Sequence, residues 1–210
     1  RVDCLVATCS GAAAVLKRKP DKMIAHCVDI NTYRLPNEGK KIAWESLSYP
    51  GKYGIGIFAR VRQQKGIGIL VDAMIPIMKE DPSPTVLIAG ETTKSHENFV
   101  ADLKAKIKSE GLEKRILFIG KVHYAEEVPR LMRGLSIVTA LSTIEGFGLP
   151  ILEAMSSGCA VVASRTGAWE DIIVPEEHGL LVPCNDVKAT QEALKKLTSN
   201  SESLERMGLR

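Results

Sequence analysis

Two carboxylates stand eight positions apart in the segment Glu145-Gly-Phe-Gly-Leu-Pro-Ile-Leu-Glu153. The glycines between them let a backbone approach a ligand closely, and Pro150 suits the first position of a helix. Such a helix would aim its free amides and the positive end of its dipole at the glycine turn, which is a favourable place for a diphosphate. Glu145 precedes the helix and Glu153 falls in its first turn, so both can face one cleft. A carboxylate grips a pair of hydroxyls well, because each oxygen accepts from an O–H. Singly, each acid has a plainer account. Glu153 suits the helix dipole by itself, and Glu145 suits an exposed loop. Their spacing, with Gly-Phe-Gly between them, argues for a joint role.

A second segment, Arg60-Val-Arg-Gln-Gln-Lys65-Gly66, carries cations. Arg60 and Lys65 can bring two positive charges to one place. In a water-poor cleft such charges act strongly on a diphosphate. Arg62 lies between them and is expected to face solvent. Taken alone, a basic loop of this kind is more often merely solvated.

The elements that must position these residues alternate between strand and helix. Short apolar runs predict strands at residues 2–7, 23–25, 53–58, 85–89, 116–119, 136–140, 160–163 and 179–182. Amphipathic stretches between them predict helices at residues 10–16, 67–78, 96–109, 126–133, 150–157, 169–173 and 187–197. This alternation implies an α/β fold, a Rossmann-like parallel sheet with helices on both faces. The strand runs lack period-two alternation, as strands buried on both faces do. In that architecture ligands sit at the carboxyl edge of the sheet, where both charged segments fall. Residues 36–51 hold Pro36, Asn37, Gly39, Pro50 and Gly51 and read as a linker with one short helical piece at 43–47. The compact domain is expected over residues 52–210. Residues 1–35 read as a strand–helix–strand remnant of another domain, and two strands cannot bury their own faces. The beginning at Arg1 and the ending at 207–210 suggest a piece of a longer chain.

The carboxylate segment resembles the E-x7-E motif of retaining GT-B glycosyltransferases, family 4 above all. The resemblance assigns Glu145 to hydroxyls of the transferred sugar and Glu153 to the ribose of the nucleotide. It lays the amides of Gly146, Phe147, Gly148 and Leu149 along the sugar and phosphates. The basic segment is similar to that family's Arg…Lys-Gly element, whose cations bind the donor phosphates; that role falls on Arg60 and Lys65. Ala59 stands where the family usually has Gly. Gly120-Lys-Val122 resembles the loop that holds the nucleobase, giving Gly120 and Val122 as donor-binding candidates, although a plain turn explains it as well. His26-Cys-Val-Asp29 resembles the interdomain crossover, with Cys27 in place of the usual Gly. The wider texture looks most like bacterial lipopolysaccharide-core mannosyltransferases. The implied reaction transfers a hexose, with mannose from GDP-mannose favoured, to a lipopolysaccharide-core acceptor with retention. The nucleotide sugar is thus a substrate, and no cofactor is implied. The glycolipid acceptor would be reached through the missing domain, so this chain would bind donor without transferring it. The implied location is cytoplasmic, with peripheral association at the inner membrane as an extension. Rival readings are a glucosyl- or galactosyltransferase on another glycan, a non-catalytic nucleotide-sugar-binding module, and a nucleotide-sugar 2-epimerase, which the E-x7-E segment disfavours.

Composition excludes other classes. Of 210 residues, 45% are apolar and 25% charged, which is ordinary for a globular domain. The net charge of +3 and an aromatic share of 5% are too small for a nucleic-acid surface. Gly54-Ile-Gly56 and Gly66-Ile-Gly68 lack the third glycine of a dinucleotide fingerprint. No clustered His/Cys set, H-E-x-x-H or D-x-D occurs, so no metal is expected. Five scattered cysteines form no C-x-x-C pair. Cys4, Cys159 and Cys184 read as small core residues in a reducing compartment.

Overall fold

Buried apolar runs, rich in valine and isoleucine, make the strands of this fold. The computed structural model describes residues 3–208; the predicted strand residue Val2 lies outside them. The elements run β1 (Val6–Ala7), α1 (Ser10–Ala14), β2 (Lys22–Met23), α2 (Lys40–Glu45), β3 (Tyr53–Phe58), α3 (Ile67–Glu80), β4 (Pro84–Ala89), α4 (Glu97–Ser109) and β5 (Ile116–Gly120). They continue as α5 (Glu127–Gly134), β6 (Leu135–Ala140), α6 (Leu149–Ser156), β7 (Ala160–Ser164), α7 (Trp169–Ile172), β8 (Gly179–Val182), α8 (Val187–Thr198) and α9 (Ser201–Gly208). Asp186 caps α8 by accepting from the Ala189 amide at 2.8 Å.

β3 to β8 form one six-stranded sheet in the order β5-β4-β3-β6-β7-β8, with every pair parallel. Helices cover both faces. On one face α3, α4 and α8 pack Leu70, Met74, Leu103 and Leu194 over Ile55, Ile57, Val86 and Val162. On the other, α2, α5 and α6 pack Trp44, Met132 and Ile151 over Leu87, Val138 and Val161. This is the Rossmann-like layer order expected from the sequence.

The glycines of β3 are spacers. A Cβ on Gly54 would stand 2.2 Å from the Trp44 ring, and one on Gly56 would stand 2.4 Å from Leu135. The missing side chain of Gly54 makes room for the fully buried Trp44, whose indole N–H donates to the Gly51 carbonyl at 3.1 Å, and that of Gly56 makes room for Leu135. The linker segment is therefore part of the core through α2.

The N-terminal unit pairs β1 with β2 in parallel and leaves Val6, Met23 and Ile24 exposed. It docks on the larger domain through the start of α1. The Ser10 amide and hydroxyl donate to Asp171 at 2.8 and 2.7 Å, and Cys9 packs with Phe147 and Ala168. The cysteine expectation needs correction. Cys4 is exposed and Cys184 half-buried, whereas Cys9 is buried with Cys159; all five are free thiols. Cys4 precedes β1 and Cys184 follows β8, so an apolar neighbour in sequence does not carry either of them into the core.

Gly54→Ala should lose roughly 1–3 kcal/mol of stability in urea denaturation, because the methyl must displace Trp44. Gly68→Ala serves as the contrast: its Cβ would meet nothing closer than 3.8 Å within α3. That substitution should gain up to about 1 kcal/mol by restricting the unfolded chain. Equal stabilities for the two variants would show that Trp44 is not held against β3.

Candidate functional site

The strand order reverses between β3 and β6, and such a switch point leaves a crevice at the carboxyl ends of the strands. The loops that leave these two strands, residues 59–66 and 141–148, meet there. The Thr143 amide donates to the Gln64 carbonyl at 3.0 Å. Gly66 adopts a left-handed conformation (φ 70°), and a Cβ there would fall 2.2 Å from the Leu141 carbonyl oxygen. Glycine at this position is thus required twice, by backbone angle and by the closeness of the two loops.

A hollow of about 450 Å³ opens at this meeting point. Arg60, Arg62, Lys65, Glu145, Phe147, Gly148, Leu149 and Trp169 line it, with His26 at its rim. Lys65 and Glu145 form an ion pair at 2.6 Å, with side chains 23% and 21% exposed. Glu145 also accepts from the Ser142 hydroxyl at 3.2 Å and from the Gly146 amide at 3.3 Å. Gly148 is the N-cap of α6 and takes φ 76°. Pro150 has no N–H and the Ile151 amide donates to the Gly148 carbonyl at 3.1 Å, so Leu149, which lines the hollow, carries the first amide that the helix itself does not use.

The expectation for Arg62 is overturned. Val61 is buried, 1% exposed, and bridges to Thr92 in an extended stretch. Alternation in an extended chain sends the residues on either side of Val61 the same way. Arg60 and Arg62 both line the hollow, and Arg62 is only half exposed.

Glu153 lies on the other side of Leu149. The helix begins at Leu149, not Pro150, so Glu153 opens its second turn instead of falling in its first. It is 2% exposed, and its Oε1 accepts from the Tyr124 hydroxyl at 2.5 Å. Burial raises its pKa above the ordinary 4.5, opposed by the Tyr124 hydrogen bond. A second hollow, of about 260 Å³, holds Glu153 and Tyr124 together with Asp29, Tyr33 and Leu149. Leu149 lines both hollows, so the two acids of the motif serve adjoining chambers along one helix start.

The remaining predicted residues are placed unevenly. Gly120 ends β5 with φ 75° and lines neither chamber; Val122 packs beside Tyr49 and Leu131 in a separate hollow. Tyr124 and Ala125, further along the same loop, face Glu153 in their place. Gly146 is exposed and does not line the hollow; its carbonyl accepts from the Ala168 amide at 3.2 Å. His26 stands edge-on to Phe147, with ring centroids 4.8 Å apart. Sequence reading missed Tyr33, Tyr124 and Trp169. Tyr33 and Tyr124 lie within a few positions of the segments at 26–29 and 120–122, which is their only advance signal, and Trp169 has none. Among the described residues, no group of three or more His, Cys, Asp or Glu side chains is gathered to hold a metal ion.

Comparison with known proteins bears on the family and the fold. Residues 39–210 match the family model described as glycosyl transferases group 1. The lipopolysaccharide core biosynthesis mannosyltransferase LpcC of Rhizobium leguminosarum bv. viciae is 37% identical over 92% of this chain and 54% of its own length. LpsB of Rhizobium meliloti, described in the same words, is 36% identical over the same shares. This chain thus spans about half the length of those curated relatives. The C-terminal domain of LpcC from Francisella tularensis, a glycosyl transferase group 1 family protein, superposes with a TM-score of 0.82 at 39% identity, over 86% of this chain and 92% of that one. Anabaena HepE in complex with UDP shares the fold, with a TM-score of 0.85 at 23% identity over 97% of this chain and 56% of that one.

The burial of Glu153 has a measurable sign. Its raised pKa means that the folded chain keeps a proton which the unfolded chain has released. Stability should therefore fall as pH rises from the unfolded carboxylate value through the higher folded one. Melting temperatures measured across that window should show this fall in the parent and a flatter profile in Glu153→Gln. Identical profiles would mean that Glu153 is solvated.

Proposed function

This chain belongs to the glycosyl transferases group 1 family, on the GT-B fold of glycosyltransferase family 4, and is homologous to the mannosyltransferases of lipopolysaccharide core biosynthesis; from that membership we propose that it is the donor-binding part of a retaining hexosyltransferase. The observation that carries the proposal is the pair of chambers joined at Leu149, with Glu145 in one and Glu153 in the other. A nucleotide-diphosphate sugar would lie across the start of α6. Its sugar and diphosphate would fill the larger chamber and its nucleoside the smaller.

In this reading Glu153 accepts from the ribose hydroxyls, which take the place of the Tyr124 phenol. Glu145 orients the transferred sugar. Arg60 and Lys65 hold the diphosphate and stabilise the negative charge that grows on it as the sugar–phosphate bond breaks. Donor entry must separate Lys65 from Glu145, giving the cation to phosphate and the carboxylate to a sugar hydroxyl. The amides of Phe147, Gly148 and Leu149 lie along the same path. The favoured donor is GDP-mannose, on the likeness to the two rhizobial mannosyltransferases. A lipopolysaccharide-core acceptor would approach from a second domain, so this chain alone would bind donor without transfer. Positioning of the acceptor, which can contribute roughly 7–11 kcal/mol, would come from that other surface. No helix among the described residues is long and apolar enough to cross a membrane; we place the enzyme in the cytoplasm, in peripheral contact with the inner membrane.

Calorimetry with GDP, UDP and GDP-mannose tests the reading. GDP should bind more tightly than UDP. Glu153→Ala should weaken GDP by roughly 1.5–3 kcal/mol, the worth of a charge-assisted hydrogen bond. Glu145→Ala should leave GDP nearly unchanged and weaken only the sugar nucleotide's advantage. A preference for UDP would remove the mannosyl assignment, and a larger loss of GDP from Glu145→Ala would reverse the two roles.

A further inference from the structure

Buried N–H and O–H groups in folded proteins nearly always have partners, so those that lack one call for an explanation. Among the described residues such groups are the Tyr33 hydroxyl, Arg62 Nε, Arg115 Nε, the Ser157 hydroxyl and Trp169 Nε1. Arg115 already spends its other nitrogens on the carbonyls of Met78, Asp81 and Pro84. Arg62 and Trp169 are different, because both line the hollow that holds Lys65 and Glu145.

Their settings suit the same kind of atom. Trp169 is 2% exposed, yet its indole N–H has no acceptor. It stands directly behind the N-cap of α6, where a Cβ on Gly148 would fall 2.0 Å from Nε1. Glycine at this position lets the buried indole nitrogen lie against the place where the helix begins. Arg62 lines the same hollow, and among the described residues its Nε is likewise buried without a hydrogen-bond partner. Lys65, by contrast, is already neutralised by Glu145 at 2.6 Å. Two donors of hydrogen bonds, one of them cationic, at a helix start select a ligand rich in acceptor oxygens and negative charge.

We propose that Arg62 and Trp169 are donor-binding residues that complete the hydrogen-bonding shell of the diphosphate. The proposal rests on the reading of the hollow as the sugar–diphosphate chamber and extends it to two side chains to which the sequence motifs assign no role. Arg62 contributes charge and N–H groups to the phosphate oxygens. Trp169 contributes one neutral N–H at the start of α6. Together they make the chamber select for a diphosphate over a monophosphate, since a second phosphate offers the additional acceptor oxygens these donors need.

The chain's two tryptophans allow a direct test. In the ¹⁵N-labelled protein each gives one indole N–H resonance. That of Trp44 is bonded to the Gly51 carbonyl, far from the ligand, and serves as the internal reference. Titration with GDP or UDP, whichever binds, should move the Trp169 resonance downfield and leave that of Trp44 in place; Trp169→Phe assigns the two. In calorimetry Arg62→Gln should weaken the nucleoside diphosphate about tenfold or more and the corresponding monophosphate no more than about twofold. Trp169→Phe should weaken the diphosphate about threefold, as befits a neutral hydrogen bond. Ligand-free melting temperatures close to the parent's establish that the variants fold. If neither GDP nor UDP binds the parent, the reading of the chamber falls and this inference with it. If the parent binds but the Trp169 resonance stays still, or Arg62→Gln binds the diphosphate like the parent, only this inference falls.

Discussion

Two neighbouring parallel strands whose chains leave toward opposite sides of a sheet cannot cover the edge between them. In this chain those strands are β3 and β6, and the cleft follows from their adjacency. The loop after β3 supplies the cations and the loop after β6 supplies the first acid, so residues about eighty positions apart come to share one ion pair. Besides that ion pair, backbone fixes the two loops to each other, through the Thr143–Gln64 hydrogen bond and the approach of Gly66 to Leu141. Side chains in the cleft are therefore mounted on a frame that does not rely on them alone. Substitutions among them should act on ligand more than on fold.

The parallel sheet was legible because strands buried on both faces appear as unbroken apolar runs, and each of β3 to β8 coincides closely with such a run. The Glu145–Glu153 segment was legible because its chemistry is local: glycines, a helix start and two acids lie on one continuous stretch. What escaped is whatever the third dimension decides. Arg62 reads as solvent-facing from the sequence alone, and the burial of Val61 shows which way its neighbours point. Trp169 reaches its chamber from a segment with no motif of its own. The purpose of the glycines of β3, room for Trp44 at Gly54 and for Leu135 at Gly56, depends on side chains packed from other segments. The start of α6 was misjudged by one residue, because Gly148 caps it in a left-handed conformation and leaves Pro150 at the second position.

The N-terminal unit shows how little contact suffices to seat a small element. β1 and β2 pair with each other, and Val6 and Met23 remain exposed although Ala7 is buried. What fastens the unit is the first turn of α1, where Ser10 donates twice to Asp171 and Cys9 joins a small cluster with Phe147 and Ala168. Asp171 sits in α7, two residues after Trp169. The crossover segment then passes over the site, bringing His26 against Phe147 and Tyr33 beside Glu153. Both chambers thus take one wall from outside the sheet domain proper, and the seating of this unit helps set their width.

The ion pair between Lys65 and Glu145 has a bearing on what the empty cleft admits. A small free anion that captured Lys65 would strand Glu145, 21% exposed, without its counter-charge. The exchange would replace one attraction with another and add the exposure cost of the abandoned acid. A ligand that carries an anion and, a short distance away, a hydroxyl able to donate leaves neither charge unmatched. On the proposed reading of the cleft, the pair therefore acts as a coincidence detector: it yields to molecules that answer both charges at once and holds against ions that answer only one.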